Sequence, residues 1–304
     1  MATQQVRWPR EPRGYFLHAE VNATVYKTHP GAVTIAEEST AFPGVTAPTN
    51  HGGLGFGLKW NMGWMHDSLK YISEDPINRR WHHGTITFSM VYAFSENFLL
   101  PISHDEVVHG KGSMLRKMPG DRWQQLANLR AFFAYQWAHP GKQLIFMGTE
   151  FGQEAEWSEQ YGLDWFLADI PAHRGLQLLV RDLNGLYTST PALHVRDNEP
   201  GGFQWINGGD ADHNVLTFIR WDNDGKPLVC AVNFSGGPHN DYILGVPEAG
   251  EWVEVLNTDS ETYGGSGVIN SGTLKAASPG TDGQPAALTV TLPPLGASWF
   301  TLAE

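Results

Sequence analysis

The stretch Phe98-Leu99-Leu100-Pro101-Ile102-Ser103-His104-Asp105-Glu106 decides the fold. Five apolar residues run straight into a polar, ionisable cluster. That length suits a buried strand rather than a helix. Downstream, Asp121 is placed to cap a helix whose stripe is Leu126, Leu129, Phe133 and Trp137, ended by Pro140. Gln143-Leu144-Ile145-Phe146-Met147 follows as another strand, entered from Pro140-Gly141. Leu176, Leu179, Leu183 and Leu186 mark the next helix. Strand, helix, strand, helix implies parallel strands joined by crossovers.

The same texture extends upstream. Ala32-Val33-Thr34-Ile35-Ala36, after the turn His29-Pro30-Gly31, reads as a buried strand. Gly55 to Met62 is a weaker strand, with Phe56, Leu58 and Trp60 on alternate positions. Each strand runs into polar residues: Glu37-Glu38 after Ala36, His104-Asp105-Glu106 after Ile102, Thr149-Glu150 after Met147. In parallel α/β folds that end of the sheet holds the chemistry.

Near residue 196 the helical stripes stop. Val215 to Ile219, the turn Asp222-Asn223-Asp224-Gly225 and Leu228 to Phe234 form a hairpin pattern. Trp252 to Leu256, Ala287 to Leu292 and Ser298 to Leu302 add strands, so residues 196–304 read as a separate all-β unit, a sandwich. Gly264 to Gly283 reads as a mobile Gly/Ser-rich loop.

Composition bounds the function. The chain has 304 residues, 41% hydrophobic, enough for a packed core. Its net charge of −12 disfavours binding to nucleic acid and to anionic membrane surfaces. No stretch reaches the roughly 18 apolar residues of a bilayer span. Arg7, Arg10 and Arg13 precede no apolar signal segment, so a cytoplasmic address is the default. The one cysteine, Cys230, excludes an internal disulfide and reads as a buried thiol. The aromatics read first as core and second as sugar-stacking surfaces.

Glu37 and Glu38 end a strand, so they point to opposite faces. One can face a site while the other is held by structure. His104 and His109 are five apart, not the four of a helical zinc pair, so a metal site is not expected. A His-Asp pair at a strand end can instead bind a hydroxyl and face a developing cation. Carboxylates gathered at one end of parallel strands are what glycoside chemistry requires. His82-His83 beside Arg79 and Arg80 reads as a solvated helix face, and Gly52 to Gly57 as a turn into the next strand, lacking the Lys-Ser/Thr of a phosphate loop.

Four segments occur in order: Val33 to Thr40, Lys59 to Asp67, Ser103 to Lys111 and Phe146 to Phe151. Together they resemble the bacterial 1,4-α-glucan (glycogen) branching enzymes of the α-amylase clan, and Leu256 to Ser260 and Leu292 to Leu295 resemble the C-terminal β domain of that family. The resemblance implies an α/β then all-β chain: the second half of a (β/α)8 barrel, strands five to eight, followed by a β-sandwich. Its division would be 1–20 leader and start of a barrel helix, 21–195 partial barrel, and 196–304 β domain. It implies Glu37 as general acid/base, Asp105 as the carboxylate stabilising the transition state and His104 as the residue binding a sugar hydroxyl. Glu37 would be protonated for bond cleavage and ionised for transfer, which calls for a raised pKa. The substrate would be α-glucan, with no cofactor and no metal.

The departure from the family lies upstream. Its nucleophilic Asp precedes the Glu37 strand, whereas this chain has no Asp before Asp67. The expectation is a truncated chain inactive alone, completed by a separately encoded N-terminal barrel half or by self-association through open sheet edges. A non-catalytic glucan-binding remnant and a gene fragment without function stay open. So, among enzymes, do an α-amylase-clan hydrolase and a debranching enzyme.

Overall fold

A computed structural model describes residues 12–303. The expected leader up to residue 11 lies outside the described residues.

Six α-helices are present among the described residues: α1 (Pro12–Thr28), α2 (Met62–Ser73), α3 (His83–Thr87), α4 (Met114–Lys117), α5 (Arg122–Ala138) and α6 (Pro171–Ser189). Four short strands, β1 (Ile35–Ala36), β2 (Leu58–Trp60), β3 (Phe98–Ile102) and β4 (Lys142–Ile145), pair in parallel in chain order. Among the described residues β1 pairs only with β2 and β4 only with β3, so the sheet has two free edges.

The second half is antiparallel. It contains β5 (Phe203–Asp210), β6 (Val215–Trp221), β7 (Pro227–Asn233), β8 (His239–Val246), β9 (Gly250–Asn257), β10 (Thr273–Ala276), β11 (Ala286–Leu292) and β12 (Gly296–Leu302). Six of them order as β10-β9-β12-β7-β6-β5, while β8 and β11 form a separate pair. The large sheet is buried on both faces, and strand alternation explains how. Leu216 and Phe218 of β6, with Cys230 and Val232 of β7, join Phe132, Phe133 and Trp64 in a core facing the helices. The alternate residues Val215, Ile219, Val229 and Ala231 pack against Leu244, Val246, Leu288 and Val290 of the small sheet.

α5 forms as its sequence dictates. Asp121 accepts the amide of Gln124 at 2.9 Å, and the Gln124 side chain returns the bond to the Asp121 amide at 2.9 Å. The helix is then buried from Leu126 to Ala138, because the parallel and antiparallel sheets lie on either side of it. Three buried arginines tie the layers together through backbone carbonyls. Arg79 donates to Phe234 O at 2.8 Å, Arg130 to Thr258 O at 2.9 Å and Arg220 to Ala138 O at 2.7 Å.

Three expectations are corrected. The run Ala32 to Ala36 is not a buried strand: only Ile35–Ala36 pairs, and Val33 and Ile35 are 59% and 43% exposed. β1 has a neighbour on one side only, so little backbone is held in register. Gly264 to Gly283 is not an unanchored loop. It contains β10, paired with β9, and Asn270 bonds to Glu254 at 2.9 Å and to Thr291 O at 2.9 Å. His83 is not solvated: it is buried with its Nε2 3.1 Å from Gly208 O of β5. Arg79 beside it is buried as well, because this segment docks on the antiparallel sheet.

No helix among the described residues is long and apolar enough to cross a membrane.

Candidate active site

β3 is bonded on both sides and buried along its length, which gives the site a rigid base. Directly after it, Ser103 caps a single helical turn, His104–Glu106. The Glu106 carboxylate accepts the Ser103 amide at 2.6 Å and the Ser103 hydroxyl at 2.8 Å. The Asp105 amide donates to Ser103 Oγ at 3.3 Å. Glu106 is therefore a buried brace. His104 and Asp105 face outward, 50% and 45% exposed, with His104 Nε2 3.4 Å from Asp105 Oδ1.

Aromatics stand beside this pair. The His104 ring lies 6.1 Å from that of Phe146, which follows β4, and Phe146 meets Trp157 edge-on at 5.3 Å. The Trp157 amide donates to Val107 O at 3.0 Å. The adjoining loop is pinned by Glu156, whose carboxylate accepts the amides of Gly110 at 3.0 Å and Gly112 at 2.7 Å. Those two bonds hold Glu156 below the usual carboxylate range. Both glycines have positive φ, a backbone geometry that costs Gly little and that turns their amides toward one carboxylate.

Glu37 and Glu38 divide as strand geometry requires. Burial works to raise the pKa of Glu38, but bonds from Lys59 and Thr40 outweigh it and hold the carboxyl below its ordinary value. Lys59 Nζ lies 2.7 Å from Glu38 Oε2 and donates to Thr40 O at 3.0 Å. A cavity of about 390 Å³ opens on this Glu38 side, lined also by Trp60, Asn61, Tyr92 and Phe98. Glu37 is exposed past the end of β1. The three site residues predicted from sequence thus sit at the C-terminal ends of β1 and β3. His104 and Asp105 are brought together, and no contact joins Glu37 to either among the described residues. Lys59, Glu106 and Glu156 went unassigned in the sequence. Only Lys59, a charge on an alternating apolar strand, signalled anything.

Comparison with known proteins finds relatives across most of the chain. Residues 205–303 match the alpha amylase C-terminal all-beta domain. A 1,4-alpha-glucan branching enzyme of Leifsonia xyli is 64% identical over 91% of this chain and 38% of its own length. Those of Frankia casuarinae and Thermobifida fusca are 60% and 58% identical over 93% and 92% of this chain, and 35% and 38% of theirs. The chain is similar to the C-terminal part of these branching enzymes.

It therefore spans well under half the length of these branching enzymes. Solved structures agree on the fold. An alpha-amylase from H. orenii superposes with a TM-score of 0.60 at 15% identity, covering 99% of this chain and 59% of the other. One from Geobacillus thermoleovorans gives 0.63 at 13%, covering 95% and 57%. An α/β parallel part followed by antiparallel β-sheets is thus the architecture that sequence patterning implied.

Proposed function

We propose that this chain supplies the back half of a cytoplasmic α-glucan branching site, with residues 21–195 as half a barrel and 196–304 as its β domain. The observation that carries the reading is the 64% identity to a branching enzyme across 91% of the chain. The Glu37 carboxyl protonates the glycosidic oxygen of an α-1,4 bond as it breaks. Asp105 faces the positive charge that develops on the sugar ring, and His104 binds a hydroxyl of the same unit. The Glu37 carboxylate then takes the proton from a 6-hydroxyl of a second glucan, which attacks to form the α-1,6 branch.

The step between needs a carboxylate to capture the sugar carbon, about 5–5.5 Å from the acid in a retaining enzyme. No Asp precedes Asp67 in these residues, so that group would come from front barrel strands that they do not include. The purified chain is expected to leave the iodine absorbance of amylose unchanged. Adding the N-terminal part of a relative should restore branching, seen as new α-1,6 signals by proton NMR, and Glu37→Gln should abolish it. Branching by the chain alone would show that the nucleophile lies elsewhere.

A further inference from the structure

We propose that the cavity beside Glu38 is a binding site for one neutral sugar unit, on the face of β1 and β2 opposite to Glu37. The inference rests on the walls of that cavity and not on the proposed chemistry.

Strand register places the cavity. Ala36 of β1 pairs with Lys59 of β2, and Lys59 pairs with Phe98 of β3. Paired residues share a side of the sheet, and Phe98, Leu100 and Ile102 alternate onto one side. Leu100 and Ile102 pack there with Trp64 of α2. Lys59 and Phe98 therefore point toward the helices, and the Glu38 carboxylate joins them through its 2.7 Å contact with Lys59. Glu37, one residue earlier, points the other way.

The cavity is pre-formed. One wall is the segment from Glu38 to Gly44, which is held at both ends. Lys59 grips Glu38 and donates to Thr40 O at 3.0 Å. Just beyond Gly44, the Glu96 carboxylate accepts the amides of Val45 at 3.0 Å and Thr46 at 2.7 Å, and the Thr46 hydroxyl as well. The volume of about 390 Å³ lies at the small end of the range for small-molecule sites, which suits a sugar unit better than a long chain.

The walls select the ligand. Trp60, Met62 and Phe98 offer apolar surface to the carbons of a ring. The charged residues of the lining are already engaged, Glu38 with Lys59 and Glu96 with two amides. An ion would enter without a free counter-charge, so the ligand is neutral. Two donors are left over. Asn61, 2% exposed, uses its side-chain oxygen to cap α2, accepting the Trp64 amide at 2.9 Å. Its Nδ2 and the Tyr92 hydroxyl are buried without a hydrogen-bond partner among the described residues, and both residues line the cavity. Buried polar groups are nearly always paired, so two exceptions at one cavity point to what the cavity receives. Gly63 keeps that corner open, because a Cβ there would collide with the Tyr92 hydroxyl. The oxygens of a polyhydroxylated ring accept from an amide and a phenol together.

The test uses maltose as the probe, titrated calorimetrically into the intact chain carrying His104→Ala. That change removes the sugar contact proposed for the reaction face, so failure of the proposed function would leave these results unchanged. Saturable binding below about 10 mM is expected. Adding Tyr92→Phe or Asn61→Asp should weaken it about three- to tenfold, one hydrogen bond in each case. Neither should lower the urea midpoint, because the group removed has no protein partner and Asp caps a helix as well as Asn does. Inorganic phosphate should not bind. Absence of maltose binding, an affinity unchanged in both variants, phosphate binding in place of maltose, or a lowered urea midpoint in either variant would overturn the inference.

Discussion

Replacing Arg220 by Met tests whether the two sheets and the helices between them form one cooperative structure. Arg220 lies on β6 and is fully buried. Its Nε donates to Gly202 O at 3.1 Å, and its terminal nitrogens donate to Ala138 O at 2.7 Å, Leu193 O at 3.4 Å and the Asp197 carboxylate at 2.6 Å. Ala138 ends α5, so this one guanidinium spans the junction. Methionine fills much of the same space and removes every donor. Stripping one member from a buried ion pair costs about 3–5 kcal/mol when the other is left uncompensated. Here Asp197 keeps Lys142 at 2.7 Å. The loss is then mostly three carbonyl bonds at about 1 kcal/mol each, so Arg220→Met should cost about 3 kcal/mol. Urea unfolding would be followed by tryptophan fluorescence and far-ultraviolet circular dichroism. Both probes should shift together to a lower midpoint with an unchanged slope. In the double variant Arg220→Met/Asp197→Leu the two costs should add to less than their separate sum, since neither is then left to a missing partner. A loss under about 1 kcal/mol, or two separate transitions in the unsubstituted chain, would refute the reasoning.

Other outcomes follow from the same geometry. Gly175 sits within α6, where an added Cβ would stand 2.5 Å from the Tyr263 carbonyl. Alanine's helix preference of about 1 kcal/mol favours the change, but the clash with a backbone group outweighs it, so Gly175→Ala should lower stability by about 1–2 kcal/mol in a thermal melt. His139 is buried, with Nδ1 2.8 Å from Pro140 O and Nε2 3.1 Å from Ser89 Oγ, and burial pushes its pKa down to about 3. The unfolded imidazole takes a proton below about pH 6.5 while the folded one does not, so stability present above that pH is lost as pH falls toward 3. Between pH 7 and pH 5 the original chain should lose about 2 kcal/mol more than His139→Gln in urea midpoints at each pH. The Cys230 thiol is pushed up by burial, so a thiol reagent should label it only as fast as the protein unfolds.

Particular residues show what the sequence could reveal. β3 was legible because an unbroken apolar run ends at a cap, and α5 because its stripe, its capping box and its terminal proline all agree. α1 shows no core stripe, because its apolar residues Phe16, Leu17 and Val21 face outward, so only the family resemblance placed the start of a helix there. α2 escaped because its N-cap, Asn61, lies one residue past β2 with no turn between. In the site, His104 and Asp105 were legible as neighbours. The Glu38–Lys59 pair was not, since it depends on the parallel register of β1 with β2. Nor was the clasp of Glu156 on Gly110, made across 46 residues. Arg79 read as part of a solvated helix face and nothing marked Arg130 or Arg220, because their carbonyl partners leave no trace in composition.

The site is divided between two kinds of support. His104 and Asp105 ride on an interior strand with neighbours on both sides and a buried brace beneath them. Glu37 follows a two-residue strand with one neighbour, beside an Ile35 that solvent reaches. A second neighbour along the free edge of β1 would bond its backbone and bury Ile35, fixing the direction in which Glu37 points. The same neighbour would leave the His104–Asp105 turn unmoved, because that turn is already held by Ser103 and Glu106. The separation of proton donor and charge stabiliser is thus set by whatever neighbours the free edge of β1, since the His104–Asp105 turn is already fixed.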